Sequence, residues 1–261
     1  MRSDYVRPKK SLGQHFLRDK SVAQRIVDSL SGNQKITLEI GPGMGVLTEY
    51  LLQRPDITLY AIEIDRDSVP YLQQHFPQLT PRLIEGDFLQ LDLGKLFQEP
   101  FAVIGNFPYN ISSQIFFKVL ECRNQIPELV GMVQKEVAER IAEKPGSKTY
   151  GILSVLIQAF YDVEYLFTVH ENVFVPPPKV KSAVIRFVRN NVQHLGCDEK
   201  LFTKAVKTTF NQRRKTIRNS LKPLVGSEAL PFHAFLDLRP ERLSVEDFVE
   251  LTNFIEPFVA G

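Results

Sequence analysis

The sequence predicts an α/β fold in which a doubly wound, mostly parallel sheet precedes a small all-helical domain. Short apolar runs alternate with stretches of helical periodicity from residue 36 to residue 188, and the connections between them are short. Beyond the polar segment Asn190-Asn191-Val192-Gln193 the periodicity is helical throughout. These observations divide the chain into residues 1–190, which contain the sheet, and residues 191–261, which contain only helices.

The first half of the predicted sheet begins after a helix over residues 21–30, with Ser21 as its N-cap and Gly32 just beyond its end. The strands that follow are short apolar runs that end at glycines or at an acid: residues 36–40, 57–62 and 81–84. The spacing of apolar residues between them predicts helices over residues 46–52 and 68–75.

The second half of the sheet contains four more predicted strands, over residues 101–104, 129–134, 161–169 and 183–188. Helices are predicted between them over residues 112–120, 136–142 and 152–159. In the second domain, helices are predicted over residues 198–210, 213–222, 233–235 and 244–255. Ser244-Val245-Glu246-Asp247 is a capping box that begins the last of these helices.

Composition places the chain among ordinary globular proteins, with 43% apolar and 24% charged residues in 261 positions. No segment approaches the roughly 18 apolar residues of a membrane span. The first residues contain no apolar signal core, so we expect a cytoplasmic protein without a membrane role. Cys122 and Cys197 are far apart and form no metal-ligand pattern, so free thiols are expected.

Basic residues are concentrated in two segments, although the net charge is only +2. Residues 200–222 contain eight Lys or Arg and no acid, whereas residues 223–261 contain two Arg and seven acids. Residues 1–20 contain six Lys or Arg against two acids. Two basic segments favour a polyanionic partner. The alternative for either one alone is a solvated surface.

A glycine-rich turn follows the first strand, in Glu39-Ile40-Gly41-Pro42-Gly43-Met44-Gly45. Glycines let the backbone approach a ligand closely. The spacing G-x-G-x-G departs from the G-x-G-x-x-G of dinucleotide-binding proteins, because Val46 stands where the third glycine belongs. That departure favours a ligand without phosphates, and a tight turn without any ligand is the alternative.

Polar residues end the next three strands, which strengthens the case for a ligand crevice. Glu63 lies where a carboxylate can accept hydrogen bonds from both hydroxyls of a ribose, and Asp87 where an acid can accept from an adenine amino group. Either acid alone is explained as a helix cap, Asp87 especially. Asn106 ends the fourth strand. S-adenosylmethionine fits this set because it combines adenine, ribose and an amino acid, and no metal is predicted because its methyl group is already activated.

Asn106-Phe107-Pro108-Tyr109 is the most specific motif of the chain. Asn106 offers a carbonyl acceptor and Tyr109 a flat face, while Pro108 biases Phe107 toward an extended backbone that turns its carbonyl outward. Two acceptors and a stacking surface suit an enzyme that holds a flipped adenine by its amino group. A strand-exit turn is the alternative, since Asn and Pro are common in turns.

The chain resembles the small-subunit (16S) ribosomal RNA adenine N6,N6-dimethyltransferases nearly from end to end. Lys9-Lys10-Ser11-Leu12-Gly13-Gln14-His15-Phe16-Leu17 is similar to the opening signature of that family, which usually has Asn at the position of His15. The resemblance implies a Rossmann-like class I methyltransferase sheet. It also implies a cofactor site formed by His15, Leu17, Gly41, Gly43, Glu63, Asp87 and Asn106.

The same resemblance implies roles for the target side of the site. Asn106 and the Phe107 carbonyl would accept from the adenine N6, Tyr109 would stack on the base, and Phe174 before the triproline segment would form its second face. A core aromatic is the alternative for Phe174. The family motif is commonly Asn-Leu-Pro-Tyr, so Phe107 is larger than the residue usually found there.

The C-terminal domain resembles that of the same family in Phe210-Asn211-Gln212-Arg213-Arg214-Lys215-Thr216. We expect it to contact RNA phosphates, which position the RNA without reading bases. The residues assigned to this contact are Lys204, Lys207, Arg213, Arg214, Lys215 and Arg218. The resemblance implies a monomer that dimethylates two adjacent adenines near the 3′ end of small-subunit ribosomal RNA, within an assembling small subunit.

Two other functions share most of these motifs. An enzyme of the macrolide-resistance type, which methylates large-subunit ribosomal RNA, has the same catalytic half, but the C-terminal third, including Leu238-Arg239-Pro240-Glu241-Arg242-Leu243, resembles the small-subunit family. A non-catalytic RNA-binding assembly factor would keep the fold without needing intact Glu63, Asp87, Asn106 and Tyr109. A nicotinamide dehydrogenase is disfavoured by the missing third glycine.

Overall fold

The strands and helices alternate along the chain as the sequence predicts. The computed structural model describes residues 5–226 and 230–259. The strands are β1 (Phe16–Leu17), β2 (Ile36–Ile40), β3 (Thr58–Glu63), β4 (Leu83–Glu85), β5 (Phe101–Asn106), β6 (Glu128–Gln134), β7 (Tyr161–Val169), β8 (Phe174–Val175) and β9 (Ser182–Arg189). The helices are α1 (Lys20–Asp28), α2 (Thr48–Leu51), α3 (Ser68–His75), α4 (Leu93–Leu96), α5 (Ser112–Glu121), α6 (Lys135–Ala142), α7 (Ile152–Gln158), α8 (Glu199–Asn211), α9 (Ile217–Ser220), α10 (Lys222–Val225) and α11 (Val245–Ile255).

Seven of the described strands form one sheet in the order β4-β3-β2-β5-β6-β9-β7. Strands β2 to β6 are parallel to their neighbours, and β9 is antiparallel to β6. The predicted doubly wound α/β sheet is therefore confirmed. The chain proceeds from β2 outward to β4 and then returns to β5 on the other side of β2. The carboxyl ends of β2 and β5 thus flank the position where such sheets bind ligands.

The chain divides into two compact units, of which the first comprises Met1–Ala138 and Val163–Arg189. Its core includes apolar side chains of α1, such as Ile26 and Val27, together with Ile104 of β5 and Val130 of β6. Helix α1 begins one residue earlier than predicted, because Asp19 rather than Ser21 is its N-cap. The Asp19 carboxylate accepts hydrogen bonds from the amides of Ser21 and Val22 at 2.9 and 3.1 Å.

The second unit comprises Glu139–Asp162 and Asn190–Gly261, so residues 139–162 cluster with the helices that follow position 190. That the two parts of the chain serve methyl transfer and RNA binding separately stays a prediction. Helix α11 begins with the predicted capping box, in which the Asp247 amide donates to Ser244 Oγ and the Ser244 amide to Asp247 Oδ2.

The single helix predicted over residues 213–222 is wrong. Residues 213–215 lie in a turn closed by hydrogen bonds from the Arg213 amide to the Phe210 carbonyl and from the Lys215 amide to the Gln212 carbonyl. The short helices α9 and α10 follow the turn. Pro223 lies in the first turn of α10, where a missing amide hydrogen costs no helical bond.

A two-stranded antiparallel sheet of β1 and β8 was not predicted, because two-residue strands have no detectable periodicity. Phe16 lies opposite Val175, and Leu17 opposite Phe174. This pairing fixes the N-terminal segment beside the triproline segment. Among the described residues, no helix combines the length and the hydropathy that are needed to cross a bilayer.

Candidate active site

An open cleft with an empty volume of about 750 Å³ lies at the carboxyl ends of β2, β3, β4 and β5. It is lined by eight of the residues that the sequence assigns to the site: His15, Gly41, Gly43, Glu63, Asp87, Asn106, Phe107 and Tyr109. The parallel order of the strands explains why residues far apart in the sequence meet here. The structure therefore brings the two predicted halves of the site, around Glu63 and around Asn106, into one cavity.

The glycine-rich turn forms one wall of this cleft. Gly41 has a φ of +66°, and no heavy atom lies within 4 Å of the position that a Cβ would take. A side chain at position 41 would thus be strained and would occupy the cleft itself. The Gly43 amide donates to Glu63 Oε2 at 2.9 Å, which ties the turn to the end of β3.

Glu63 is held in a fixed orientation at the end of β3. Its Oε1 accepts from the Asp65 amide at 2.8 Å, and its side chain is buried. Burial raises the pKa of this carboxyl above its usual value, against the two amide hydrogen bonds that lower it. Each carboxyl oxygen still has a lone pair available, so Glu63 can accept from two hydroxyl groups in the cleft.

The wall of the cleft near β4 combines a carboxylate with an exposed apolar side chain. Asp87 caps a short 3₁₀ helix, since its Oδ1 accepts from the Leu89 amide at 2.9 Å. Its capping role is thus combined with a position on the cleft wall, where its second oxygen is available to a ligand. Ile64 also lines the cleft and is 49% exposed, which supplies an apolar face beside these acceptors.

Glu39, to which the sequence analysis assigned no role, is fully buried at the start of the glycine-rich turn. Its Oε2 accepts from Thr48 Oγ1 at 2.6 Å. Burial, together with the nearby Glu63, raises its pKa to about 8, although the hydrogen bond from Thr48 lowers it. Glu39 lines a small second cavity with Leu17 and Gly41. An acid inside an apolar strand next to a glycine-rich turn is the signal by which the sequence could have indicated it.

Replacement of Glu39 with Gln is expected to flatten the dependence of folding stability on pH. The pKa of this carboxyl is 4.5 in the unfolded chain and about 8 in the folded protein, so Glu39 binds a proton more tightly in the native state. The associated stability is present below about pH 4.5 and is lost as the pH rises through about 8. The loss is on the order of 2–4 kcal/mol.

Urea unfolding of the cofactor-free protein at pH 5, 7 and 9 measures this effect. The Glu39→Gln variant should lose less stability over this range than the wild type, while Glu99→Gln, at an exposed position, should behave like the wild type. Parallel pH profiles for Glu39→Gln and the wild type would show that the buried carboxyl does not titrate in this range.

Asn106 is oriented by the N-terminal segment. Its Nδ2 donates to the His15 carbonyl at 2.9 Å, and the side chain is half-buried on the cleft wall. This bond fixes the plane of the side-chain amide and leaves Oδ1 available to accept from a ligand. That Oδ1 accepts from an adenine amino group stays a prediction.

Phe107 is buried just beyond the end of β5. The ring is fully buried, packs on the Gly105–Gly131 pair of β5 and β6, and contacts Phe116 edge-on at 6.0 Å between centroids. The Phe107 amide donates to the Met132 carbonyl at 3.0 Å, which fixes the peptide at the end of β5. The absence of a Cβ at both glycines leaves the space that the ring occupies.

Tyr109 and His15 form a stacked pair at the edge of the cleft. Their ring centroids lie 5.5 Å apart with an angle of 26° between the planes. Tyr109 Oη is 2.6 Å from Ser182 Oγ, and burial raises the pKa of this phenol. His15 Nδ1 is 2.7 Å from the Pro176 carbonyl oxygen. The His15 side chain therefore contacts Tyr109 and the triproline segment, while its carbonyl serves Asn106.

Leu17 and Phe174 are buried in the apolar core, with 5% and 2% of their surfaces exposed. Leu17 lines the small second cavity, and Asn106 lines it as well. Phe174 lies opposite Leu17 in the two-stranded sheet and lines neither cavity. The assigned stacking of Phe174 on a base stays a prediction, and it requires the ring to leave this position.

An ion-pair network that the sequence analysis missed holds the N-terminal segment to the end of β3. Lys9 Nζ lies 2.5 Å from Asp65 Oδ1 and 2.7 Å from Asp67 Oδ2, and Gln14 Nε2 donates to Asp65 Oδ2 at 2.8 Å. The pKa of Asp65 is lowered mainly by the hydrogen bonds from Lys9 and Gln14, despite its burial. No periodicity or spacing indicates these contacts, because their partners are more than 50 positions apart.

The basic residues of the second unit fall into two groups. Lys204, Lys207, Arg214 and Lys215 are exposed. Arg213 is half-buried, with Nε 3.7 Å from Glu241 Oε2 and Nη2 donating to the Ser147 carbonyl at 3.1 Å. Arg218 is similarly placed, 3.7 Å from Asp237 Oδ1. Arg213 and Arg218 therefore have structural partners in addition to any contact with RNA.

Comparison with known proteins gives a consistent result over nearly the whole chain. The model of the family described as ribosomal RNA adenine dimethylase matches residues 6–256. The chain is 64% identical to the ribosomal RNA small subunit methyltransferase A of Parabacteroides distasonis, over 95% of this chain and 93% of that protein. It is 60% identical to the protein of the same name from Bacteroides thetaiotaomicron, over 96% and 95%.

Two solved structures resemble this one. A dimethyladenosine transferase from Plasmodium falciparum has a TM-score of 0.76 and 23% identity, covering 93% of this chain and 98% of that one. The 23S rRNA methyltransferase ErmE has a TM-score of 0.66 and 25% identity, covering 91% and 99%. The likeness to the first of these supports the fold, which is that of the class I methyltransferases.

Proposed function

Because the chain belongs to the ribosomal RNA adenine dimethylase family, we propose that it transfers two methyl groups from S-adenosylmethionine to N6 of adenine in small-subunit ribosomal RNA. The observation that carries this proposal is the position of Asn106 on the cleft wall, where its amide nitrogen donates to the His15 carbonyl and Oδ1 is left to accept from a ligand.

The cleft fits the cofactor in three respects. Open space beside Gly41 admits a ligand against the backbone, Glu63 has acceptors for two hydroxyls, and Ile64 offers an apolar face next to Asp87 for an adenine ring. When bound, the cofactor supplies an electrophilic methyl group on a positively charged sulfur.

The chain's part in the reaction is to make adenine N6 a better nucleophile and to aim it. The N6 lone pair is delocalised into the ring, and it becomes available when the amine turns pyramidal. Asn106 Oδ1 and the Phe107 carbonyl accept hydrogen bonds from the two N–H groups of N6. Because both acceptors are fixed in place, they stabilise the positive charge that develops on the nitrogen. Fixed geometry at the end of β5 supplies the alignment. No strong base is needed, since the nitrogen's proton becomes acidic as it is alkylated.

The second methyl transfer makes a further demand on the same atoms. After the first transfer only one hydrogen remains on N6, so one of the two acceptors loses its donor. The other position must accommodate a methyl group. We place that methyl group against the Phe107 backbone, since the Phe107 ring packs on Gly105 and Gly131.

The finer features of the substrate follow from the family resemblance. We propose that the targets are two adjacent adenines near the 3′ end of the small-subunit RNA, and that the enzyme acts as a monomer in the cytoplasm on an assembling small subunit. The names of the two bacterial relatives support the choice of subunit.

Methyl transfer from labelled S-adenosylmethionine to unmethylated small or large subunits tests the proposed substrate. We expect label in the small subunit alone. Transfer to the large subunit alone would assign the chain to the large-subunit enzymes, and cofactor binding without transfer to either would indicate an assembly factor.

Replacement of Arg214 and Lys215 with Ala is expected to weaken binding to the small subunit and to reduce its salt dependence. Both side chains are exposed, so the fold should be unaffected. Each lost phosphate contact lowers the slope of log K against log salt by about 0.7–0.9. Binding titrations at several salt concentrations measure this slope, and an unchanged slope would exclude the pair from the interface.

Arg213→Ala is the matched comparison within the same basic segment. Because Arg213 contacts Glu241 and the Ser147 carbonyl, its loss should lower the unfolding free energy by about 1 kcal/mol. The double variant at 214 and 215 should leave stability within about 0.5 kcal/mol of wild type.

A further inference from the structure

A groove larger than the cleft adjoins it on the side of His15 and Tyr109, and it has no assigned ligand. Its empty volume is about 1520 Å³, and it shares His15 and Tyr109 with the cleft. Gln134 at the end of β6 and the segment Val175–Val180 before β9 form its far side. The groove thus begins where the site for the target adenine ends.

The position of the groove in the sheet order determines what can enter it. The cofactor residues Glu63 and Asp87 follow β3 and β4, whereas the groove lies at β6 and β9, on the other side of β5. Asn106 to Tyr109 lie between the two. With the cofactor on one side of Asn106, a polynucleotide whose base reaches Asn106 must extend away on the other side, along this groove.

The chemistry of the groove suits such a strand. Among the residues that the structure describes, its lining contains the exposed cations Lys10 and Lys179 and no carboxylate. The lining also includes exposed apolar surface at Pro176, Pro177 and Val180, of which Val180 is 44% exposed. Tyr5, which is 46% exposed, also lines the groove. Cations that track a backbone and flat side chains on which bases stack are characteristic of sites for single-stranded nucleic acid.

We propose that this groove binds the unpaired RNA nucleotide next to the target adenine, with Lys10 and Lys179 against its phosphates and its base on the tyrosine and proline surface. This inference rests on the proposed function. It adds that the substrate is held as a single strand on both sides of the His15–Tyr109 pair. The groove thereby presents the target adenine to Asn106 in one orientation.

A double variant, Lys10→Ala with Lys179→Ala, tests the role of the cations. The control is Lys35→Ala with Lys95→Ala, which removes two exposed lysines that precede β2 and β5, at the opposite ends of the strands. For the groove variant we expect unchanged affinity for S-adenosylmethionine, a KM for the RNA substrate raised about tenfold, and a salt slope reduced by about 1.4, since single strands lose about 0.7 per phosphate. The control variant should match the wild type in all three.

An unchanged KM and salt slope in the groove variant would overturn the inference. A wild-type protein that transfers methyl groups to no RNA would instead refute the proposed function, so the two failures are distinguishable.

Photo-crosslinking identifies the occupant of the groove directly. With p-benzoylphenylalanine in place of Val180, we expect crosslinks to RNA within one or two nucleotides of the target adenine. The same group in place of Leu96, which is 42% exposed and lies before β5, serves as the control. A crosslink to a ribosomal protein, or an RNA yield no higher than from position 96, would contradict the proposed site.

Discussion

Replacement of Asn106 with Ala is expected to abolish measurable methyl transfer while leaving the fold intact. The variant loses the Oδ1 acceptor for adenine N6 and the hydrogen bond to the His15 carbonyl. Loss of one fixed group of this kind costs about 10²–10³-fold in kcat, and alignment of the base suffers in addition. Single-turnover transfer from labelled cofactor measures the effect.

Asn124→Ala is the matched control, because it removes the same side chain from an exposed turn between α5 and β6. It should retain full activity, and both variants should unfold at nearly the same temperature as the wild type. Near-normal turnover by Asn106→Ala would refute the role that we assign to its side chain.

The second large effect is expected at Gly131 in the middle of the sheet. A Cβ at this position would overlap the ring of Phe107, and all of its nearest neighbours belong to that ring. Overpacking of this kind costs about 1–3 kcal/mol. The backbone carbonyl of Phe107 is one of the two proposed acceptors for N6. Gly131→Ala should therefore lower both the unfolding free energy and the rate of methyl transfer.

A second substitution distinguishes this explanation from a general loss of sheet stability. Phe107→Leu removes the part of the ring that a Cβ at 131 would meet, so it should restore much of the stability of Gly131→Ala. Gly105→Ala should not be rescued in this way, since a Cβ at 105 would also lie 2.7 Å from the backbone carbonyl oxygen of Ile40. Equal rescue of both variants, measured by urea unfolding, would contradict the packing that we describe.

Much of the sheet was predictable because its parallel strands are buried and apolar and end at conspicuous residues. The predicted strand over residues 36–40 matches β2, and the predicted helix over residues 68–75 matches α3. In parallel strands the carboxyl ends share one edge, so Glu63, Asp87 and Asn106 were expected to meet without knowledge of any distance.

The orientation of the site residues was not predictable, because it depends on contacts between distant segments. The bond between Asn106 and the His15 carbonyl spans 91 positions, and the contact of Lys9 with Asp65 spans 56. The two-residue strands β1 and β8, which fix the N-terminal segment, leave no pattern in the sequence. The turn at residues 213–215 was missed because its basic side chains also suit a helix.

Mass spectrometry of the RNA product shows whether this cleft places two methyl groups on N6 of the same adenine. After incubation with S-adenosylmethionine and unmethylated small subunits, digestion to nucleosides should yield N6,N6-dimethyladenosine with the wild type and none with Asn106→Ala. Methylation of another base, or of another atom of adenine, would contradict the assignment of Asn106 and the Phe107 carbonyl as the acceptors of the N6 hydrogens.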